Sequence, residues 1–257
     1  MAITIDQIKE LREMTGVSMT ACKKALEESK GDMEKAIEVL RKKGEAQAVD
    51  RAGRSTANGV VAVCQKDSKM AIVQLASETD FVSRGNDFMK LANTLAEKLL
   101  KGEIKVTDRD VPEVKEAILK MGENIQIVEM KVVTGKNLGH YIHSNKRIGV
   151  VVSMKGGSLD LAKDIAMHVA ATNPAVLSPD QIGADLVAKE KEIWAEQLKN
   201  EGKPAQIVEK IMIGKEKKFR EENALIKQQF VKDPEKTIED LLKAGEATIE
   251  EFVRFGF

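Results

Sequence analysis

The chain is poor in the residues that usually announce chemistry. Its 257 residues include two cysteines, three histidines, one tryptophan and one tyrosine, and aromatics make up only 4%. Cys22 and Cys64 stand apart without metal or redox spacing, so they read as reduced, small apolar residues. Neither a GxGxxG loop nor a GxxxxGK loop followed by Ser or Thr occurs, and no serine has the context of a nucleophile elbow. His140 and His143 would face opposite sides of an alternating strand, and no cluster of cysteines or carboxylates completes a ligand set around them. His168, in an apolar helical run, reads as a packed, hydrogen-bonded residue. No metal, cofactor or catalytic residue is expected, and the chain does not read as an enzyme.

Charge of one sign is also missing. The 41 basic and 41 acidic residues cancel, which argues against broad binding to a phosphate backbone and makes direct nucleic-acid binding a poor expectation. No apolar run approaches the roughly 20 residues of a membrane span, and the stretch from Met1 to Leu11 is amphipathic and contains acidic residues, unlike a signal peptide. The default expectation is a cytoplasmic protein without a membrane partner.

What is present is 42% hydrophobic and 32% charged sequence, enough for a core under a mixed-sign surface and room for two or three domains. From Thr4 to Gly44 the spacing predicts three short helices. Their apolar faces are Ile8 and Leu11, then Met19, Cys22, Ala25 and Leu26, then Met33, Ala36, Ile37 and Leu40, with Gly16, Gly31 and Gly44 as stops. A module this small is expected to work as a contact surface. Its Lys23-Lys24 and Lys42-Lys43 pairs read as solvated helix faces. Gly44 to Asn58 reads as a linker, in part helical.

Alternating strands follow at Val60–Val63 and Met70–Leu75 around the turn Lys66-Asp67-Ser68-Lys69, then helices to about Lys101 and from Pro112 to Met121. Ile125, Ile127, Val128 and Met130 form a further strand, and Gly135-Lys136-Asn137 turns the chain back toward His143. Gly59-Val60-Val61 and Gly149-Val150-Val151 are glycine-led strands 90 residues apart, which hints at two similar halves. From Pro179 to Lys232 the sequence becomes densely charged, with Leu186, Ile193, Trp194 and Leu198 before Asn200-Glu201-Gly202-Lys203-Pro204 and Ile207, Val208, Ile211, Met212 and Phe219 after it. That is a projecting helical hairpin, on which Trp194 either fills the seam or meets a second copy. A helix from Thr237 to Ala244 and a strand from Ala247 to Phe255 close the chain. The fold class is α+β: an N-terminal three-helix module with linker (1–54), a core of antiparallel sheets with helices on one face of each, in parts 55–137, 138–179 and 232–257, and an inserted hairpin (180–231).

The junction Ser77-Glu78-Thr79-Asp80-Phe81-Val82 lies where a spacing of two gives way to three and four, and its polar residues suit a helix start. Phe81 there is an aromatic at a junction, outside any element. It either folds back over its own helix as a hydrophobic staple or is held out toward a partner.

Four separated motifs resemble the elongation factor Ts family: Leu11-Arg12-Glu13-Met14-Thr15-Gly16 with Cys22-Lys23-Lys24-Ala25-Leu26 and Gly31-Asp32, then Thr79-Asp80-Phe81-Val82, Gly122-Glu123-Asn124-Ile125 and Ala166-Met167-His168-Val169-Ala170-Ala171. The resemblance runs in register to about Phe255. It implies a ubiquitin-associated-like N-terminal module and guanine-nucleotide exchange on elongation factor Tu during translation, without covalent chemistry. It further implies that Phe81 is a wedge near the magnesium site of that GTPase, with Thr79, Asp80 and Val82 as its setting. Arg12 and Met19 would lie on an N-terminal contact face, and Ile125 and His143 on a core contact face, while the helical hairpin can serve a homodimer. Many members continue beyond the position of Phe257 into a further module, whose contacts do not carry over, and Ser77-Glu78 stands where some have Cys-Gln. The alternative reading is a helical adaptor for another partner, with no effect on nucleotide.

Overall fold

The computed structural model describes residues 3–15, 17–51, 53–201 and 204–257. The turns expected at Gly16 and at Gly202-Lys203 lie outside these residues.

Helices α1 (Ile5–Thr15), α2 (Met19–Glu28) and α3 (Met33–Arg51) form the N-terminal bundle, closed over Leu11, Cys22, Ala25, Leu26, Ala36 and Leu40. The Ser18 hydroxyl caps α2 by accepting from the Ala21 N–H. Gly44 does not stop α3, which runs on to Arg51. The reason is tertiary. A Cβ at position 44 would lie 3.3 Å from that of Leu119, so glycine there lets α3 cross closely over a core helix. Leu119 packs into the bundle, and Arg51 Nη1 donates to the Ile118 carbonyl at 3.0 Å.

Next come β1 (Asn58–Lys66), β2 (Lys69–Ser77), the one-turn helix α4 (Asp80–Ser83), α5 (Asn86–Lys101), α6 (Pro112–Met121) and β3 (Ile125–Thr134). They build an antiparallel sheet in the order β1-β2-β3. A bulge opposite Gln74 and Leu75 skips Val128, which explains why an apolar residue in this strand is 45% exposed. Gly135-Lys136 does not fold the chain back along β3. It carries the chain into a second sheet through β4 (Asn137–Ile142) and β5 (Ile148–Lys155), followed by α7 (Leu159–Thr172). After the helical excursion α8 (Ala184–Asn200) and α9 (Ala205–Asn223) come β6 (Gln229–Phe230), β7 (Asp233–Thr237), α10 (Ile238–Ala244) and β8 (Thr248–Gly256). Strand β8 completes the order β4-β5-β8.

The sheets pack face to face between two layers of helix. Val61, Met70, Ile72 and Val133 meet Leu138, Val151, Val253 and Phe255 between the sheets. The alternate residues Val60, Ala62, Val73 and Leu75 lie under Phe88, Leu91, Leu95 and Leu99 of α5, while Val150, Val152 and Met154 lie under Ile165 and Val169 of α7. Each such side chain contributes roughly 1.5–3 kcal/mol by burial, so the central strands are apolar on both faces. Both halves run strand, strand, helix, strand, as the sequence hinted. The glycine match pairs the wrong strands, however: Gly59 is the second residue of the edge strand β1, and Gly149 the second of the central strand β5, whose counterpart is β2. In the excursion, Trp194 is buried edge-on against Phe219, ring centroids 5.7 Å apart, so it fills the hairpin seam.

Candidate protein-binding site

Strand β2 ends at Ser77, and the chain must reverse before α5 can cover the sheet. Thr79 caps the single turn of α4, its hydroxyl accepting from the Val82 N–H at 3.4 Å. So short a helix has no cooperativity of its own and needs outside bracing. Glu123, in the turn after α6, supplies it: one carboxylate oxygen accepts from the Thr79 N–H at 3.0 Å and the other from the Thr79 hydroxyl at 2.5 Å. Glu78 returns the bond, its carboxylate accepting from the Asn124 N–H at 2.6 Å while also pairing with Arg54. The Asn124 amide donates to the Arg54 carbonyl, and the Asn58 amide to the Glu78 carbonyl, at 2.8 and 3.0 Å. Asp80 pairs with Arg84 at 3.2 Å across the turn.

Within this frame Val82 turns inward against the core, and Phe81 turns outward, 87% exposed. The staple reading of Phe81 is thereby excluded. Phe81 also lies within an element, the one turn of α4, rather than between elements. Its brace comes from Glu123 and Asn124, whose place in a polar turn directly after a left-handed Gly122 cap was the available signal. The contacts of Arg54 and Asn58 across the chain left no local signal.

The other expected site residues are scattered. Arg12 is exposed on α1, and Met19 is half-buried against its own bundle. Ile125 is a correction: it pairs with Ser77 in the sheet and is only 2% exposed. It therefore cannot offer a partner a surface and instead belongs to the core under the first sheet's helices. His143 is exposed just beyond β4, its Nδ1 3.2 Å from the Tyr141 hydroxyl. Its loop is tied to the Phe81 end of the molecule, since Arg147 Nη1 donates to Asn58 Oδ1 at 3.0 Å and the Val61 N–H to the Lys146 carbonyl at 2.7 Å. The structure thus brings Phe81 and His143 to one end of the sandwich. The N-terminal bundle is fastened to α6, whose last residue, Met121, lies two positions before Glu123.

Among the described residues no group of three or more His, Cys, Asp or Glu is placed to hold a metal, and no helix is long and apolar enough to cross a membrane. Fold and site together define an α+β scaffold that displays a braced, exposed aromatic side chain, a candidate for contact with another protein. The family model Elongation factor TS matches residues 78–257. The chain is 46% identical over 270 residues to Elongation factor Ts of Hydrogenobaculum sp. (strain Y04AAS1), covering 99% of this chain and 98% of that protein. It is also 46% identical over 263 residues to Elongation factor Ts of Francisella tularensis subsp. novicida (strain U112), covering 98% and 91%. The chain belongs to the elongation factor Ts family.

Proposed function

We propose that this chain is a guanine-nucleotide exchange factor for elongation factor Tu in translation elongation, and that it promotes GDP release by disturbing the magnesium and phosphate site without breaking any bond of the nucleotide. The observation that carries the reading is Phe81, a large apolar side chain kept in water on a turn that Thr79 caps and Glu123 braces. Family membership supports it.

The mechanism is linkage. A factor that binds the nucleotide-free GTPase more tightly than the nucleotide-bound form must weaken nucleotide binding by the same ratio. A ring wedged beside a helix that supports Mg²⁺ achieves this because the ion tolerates little distortion of its octahedron. Thr79, Asp80 and Val82 hold the wedge. Arg12 and Met19 on the N-terminal module and His143 on the core supply the further contacts that hold the distorted state, with 1–54 acting as a contact module on the core parts 55–137, 138–179 and 232–257. A homodimer through the hairpin 180–231 would use Leu186, Ile193, Ile207 and Ile213, which are exposed, since Trp194 is spent in the seam.

The test is the release of a fluorescent GDP from elongation factor Tu with and without the chain. Acceleration is expected. An unchanged rate in the presence of a bound chain would instead favour the adaptor reading.

A further inference from the structure

Arg254 lies in β8 opposite Val150, on the side of the second sheet that α7 covers further along. A Cβ placed on Gly256 would lie 3.1 Å from Arg254 Nη1. The side chain therefore reaches along β8 toward Gly256 and Ile148, the pair that closes this end of the sheet beside His143. Its Nε is buried and lacks an acceptor, and among the described residues the guanidinium makes no ion pair. Burial depresses its pKa.

The acids within β8 and on the facing helix α7 are engaged elsewhere. Glu250 accepts from the Ser153 hydroxyl, Glu251 pairs with Lys131, Asp160 with Lys163 and Asp164 with Lys232. From Met130 to Leu159 the chain holds Lys131, Lys136, Lys146, Arg147 and Lys155 but no aspartate or glutamate. The strands beside Arg254 thus have no carboxylate to offer it, although the chain as a whole is neutral. A planar guanidinium with unused donors is suited to a carboxylate, and leaving its buried Nε unpaired is costly.

We infer that Arg254 anchors a carboxylate side chain of the protein partner at the open end of the second sheet. The inference rests on the exchange-factor reading, in which that partner is elongation factor Tu. Arg254 and Phe81 stand at the same end of the sandwich, joined through Gln74, whose amide donates to the Gly256 carbonyl at 2.9 Å, and through the Asn58–Arg147 bond. One partner can therefore cover both. A protein carboxylate fits better than a nucleic-acid phosphate. Arg254 is paired with the apolar Val150 and its Nη1 reaches the space beside Gly256 that the Ile148 side chain also borders, and Arg147, the nearest cation in sequence to this end of the sheet, is committed to Asn58, the Ala57 carbonyl and the ring of Phe257.

The experiment is an equilibrium titration of the full chain against nucleotide-free elongation factor Tu over a range of NaCl, with Arg254→Met, Arg254→Lys and Arg254→Glu. Truncating one member of a buried charge pair across an interface weakens association by about 30-fold or more. That loss is expected for Arg254→Met, with a shallower salt dependence than the parent and an unchanged or higher unfolding midpoint. Arg254→Lys should recover part of the affinity, and Arg254→Glu should lose more. Parental affinity and salt dependence in Arg254→Met, alongside a parent that still accelerates GDP release, would overturn this inference alone. A loss accompanied by a lower unfolding midpoint and an unchanged salt dependence would overturn it in favour of a structural role. So would an effect confined to a labelled single-stranded RNA. Failure of the parent itself to bind the GTPase would overturn the exchange-factor reading and the inference with it.

Discussion

Replacing Glu123 by alanine leaves the Phe81 ring intact, yet it should loosen the wedge. The carboxylate accepts two bonds from Thr79, at 3.0 and 2.5 Å. Without it the Thr79 N–H is left with no acceptor. An unpaired group of this kind costs about 1–3 kcal/mol when buried, and because Thr79 and Glu123 are only half-buried the lower part of that range, about 1–2 kcal/mol, applies. A helix of four residues cannot absorb the loss by itself. Local opening of α4 should therefore become about 5- to 30-fold more frequent, while α5, with Phe88, Leu95 and Ala96 fully buried, stays closed. Hydrogen exchange at the amides of 80–84, referenced to α5, measures this directly. In a double-mutant cycle the effect of Phe81→Ala on GDP release should also shrink once Glu123 is gone. Unchanged protection of 80–84 in Glu123→Ala would refute the idea that this carboxylate holds the site.

Two further predictions concern the second half of the core. A side chain at Gly139 would collide with the backbone of Ala162, 2.4 Å from its carbonyl carbon, so Gly139→Val should prise α7 from β4 and cost about 1–3 kcal/mol in a denaturant titration; unchanged stability would mean the helix rides more loosely than its packing implies. His168 is fully buried, accepts the Val231 N–H at Nδ1 and therefore donates from Nε2 to Gln228 at 3.0 Å, an arrangement that only the neutral ring can make. Burial lowers its pKa in the folded chain, so the unfolded chain takes up the proton first. The stability this contributes is present above the unfolded value of about 6.5 and is lost as pH falls toward the depressed folded value. Melting curves between pH 5 and 8 should show this decline, and His168→Gln should flatten it; an equal slope in parent and variant would contradict the assignment.

The fold was legible wherever periodicity is local. The helices of the bundle, the strand-to-helix change at Thr79 and the helical hairpin follow from the spacing of apolar residues, while the choice between seam and second copy for Trp194 needed its contact with Phe219. What escaped depends on partners distant in sequence. Gly44 reads as a stop because glycine disfavours helices, but the approach of Leu119, on another helix, decides its role. The two glycine-led strands look alike because each carries its glycine as the second residue, yet one is an edge and the other central. Ile125 belongs to the family motif but lies buried in the sheet, and within that motif Glu123 braces Thr79. Phe81 was visible as a rare aromatic at a boundary, but whether it points in or out depends on bonds from residues more than 40 positions away. Arg254 left no signal at all, because its lack of a partner becomes apparent only when the strands around it are assembled.

The most direct measurement of the central claim is the rate at which fluorescent GDP leaves elongation factor Tu in the presence of Phe81→Ala. The ring is exposed, so its loss should leave the unfolding midpoint nearly unchanged, while the burial it would gain in a partner is worth roughly 1.5–3 kcal/mol, or about 10- to 150-fold in rate. A fall of that size in a folded variant is the predicted result, and a rate equal to that of the parent would contradict the account.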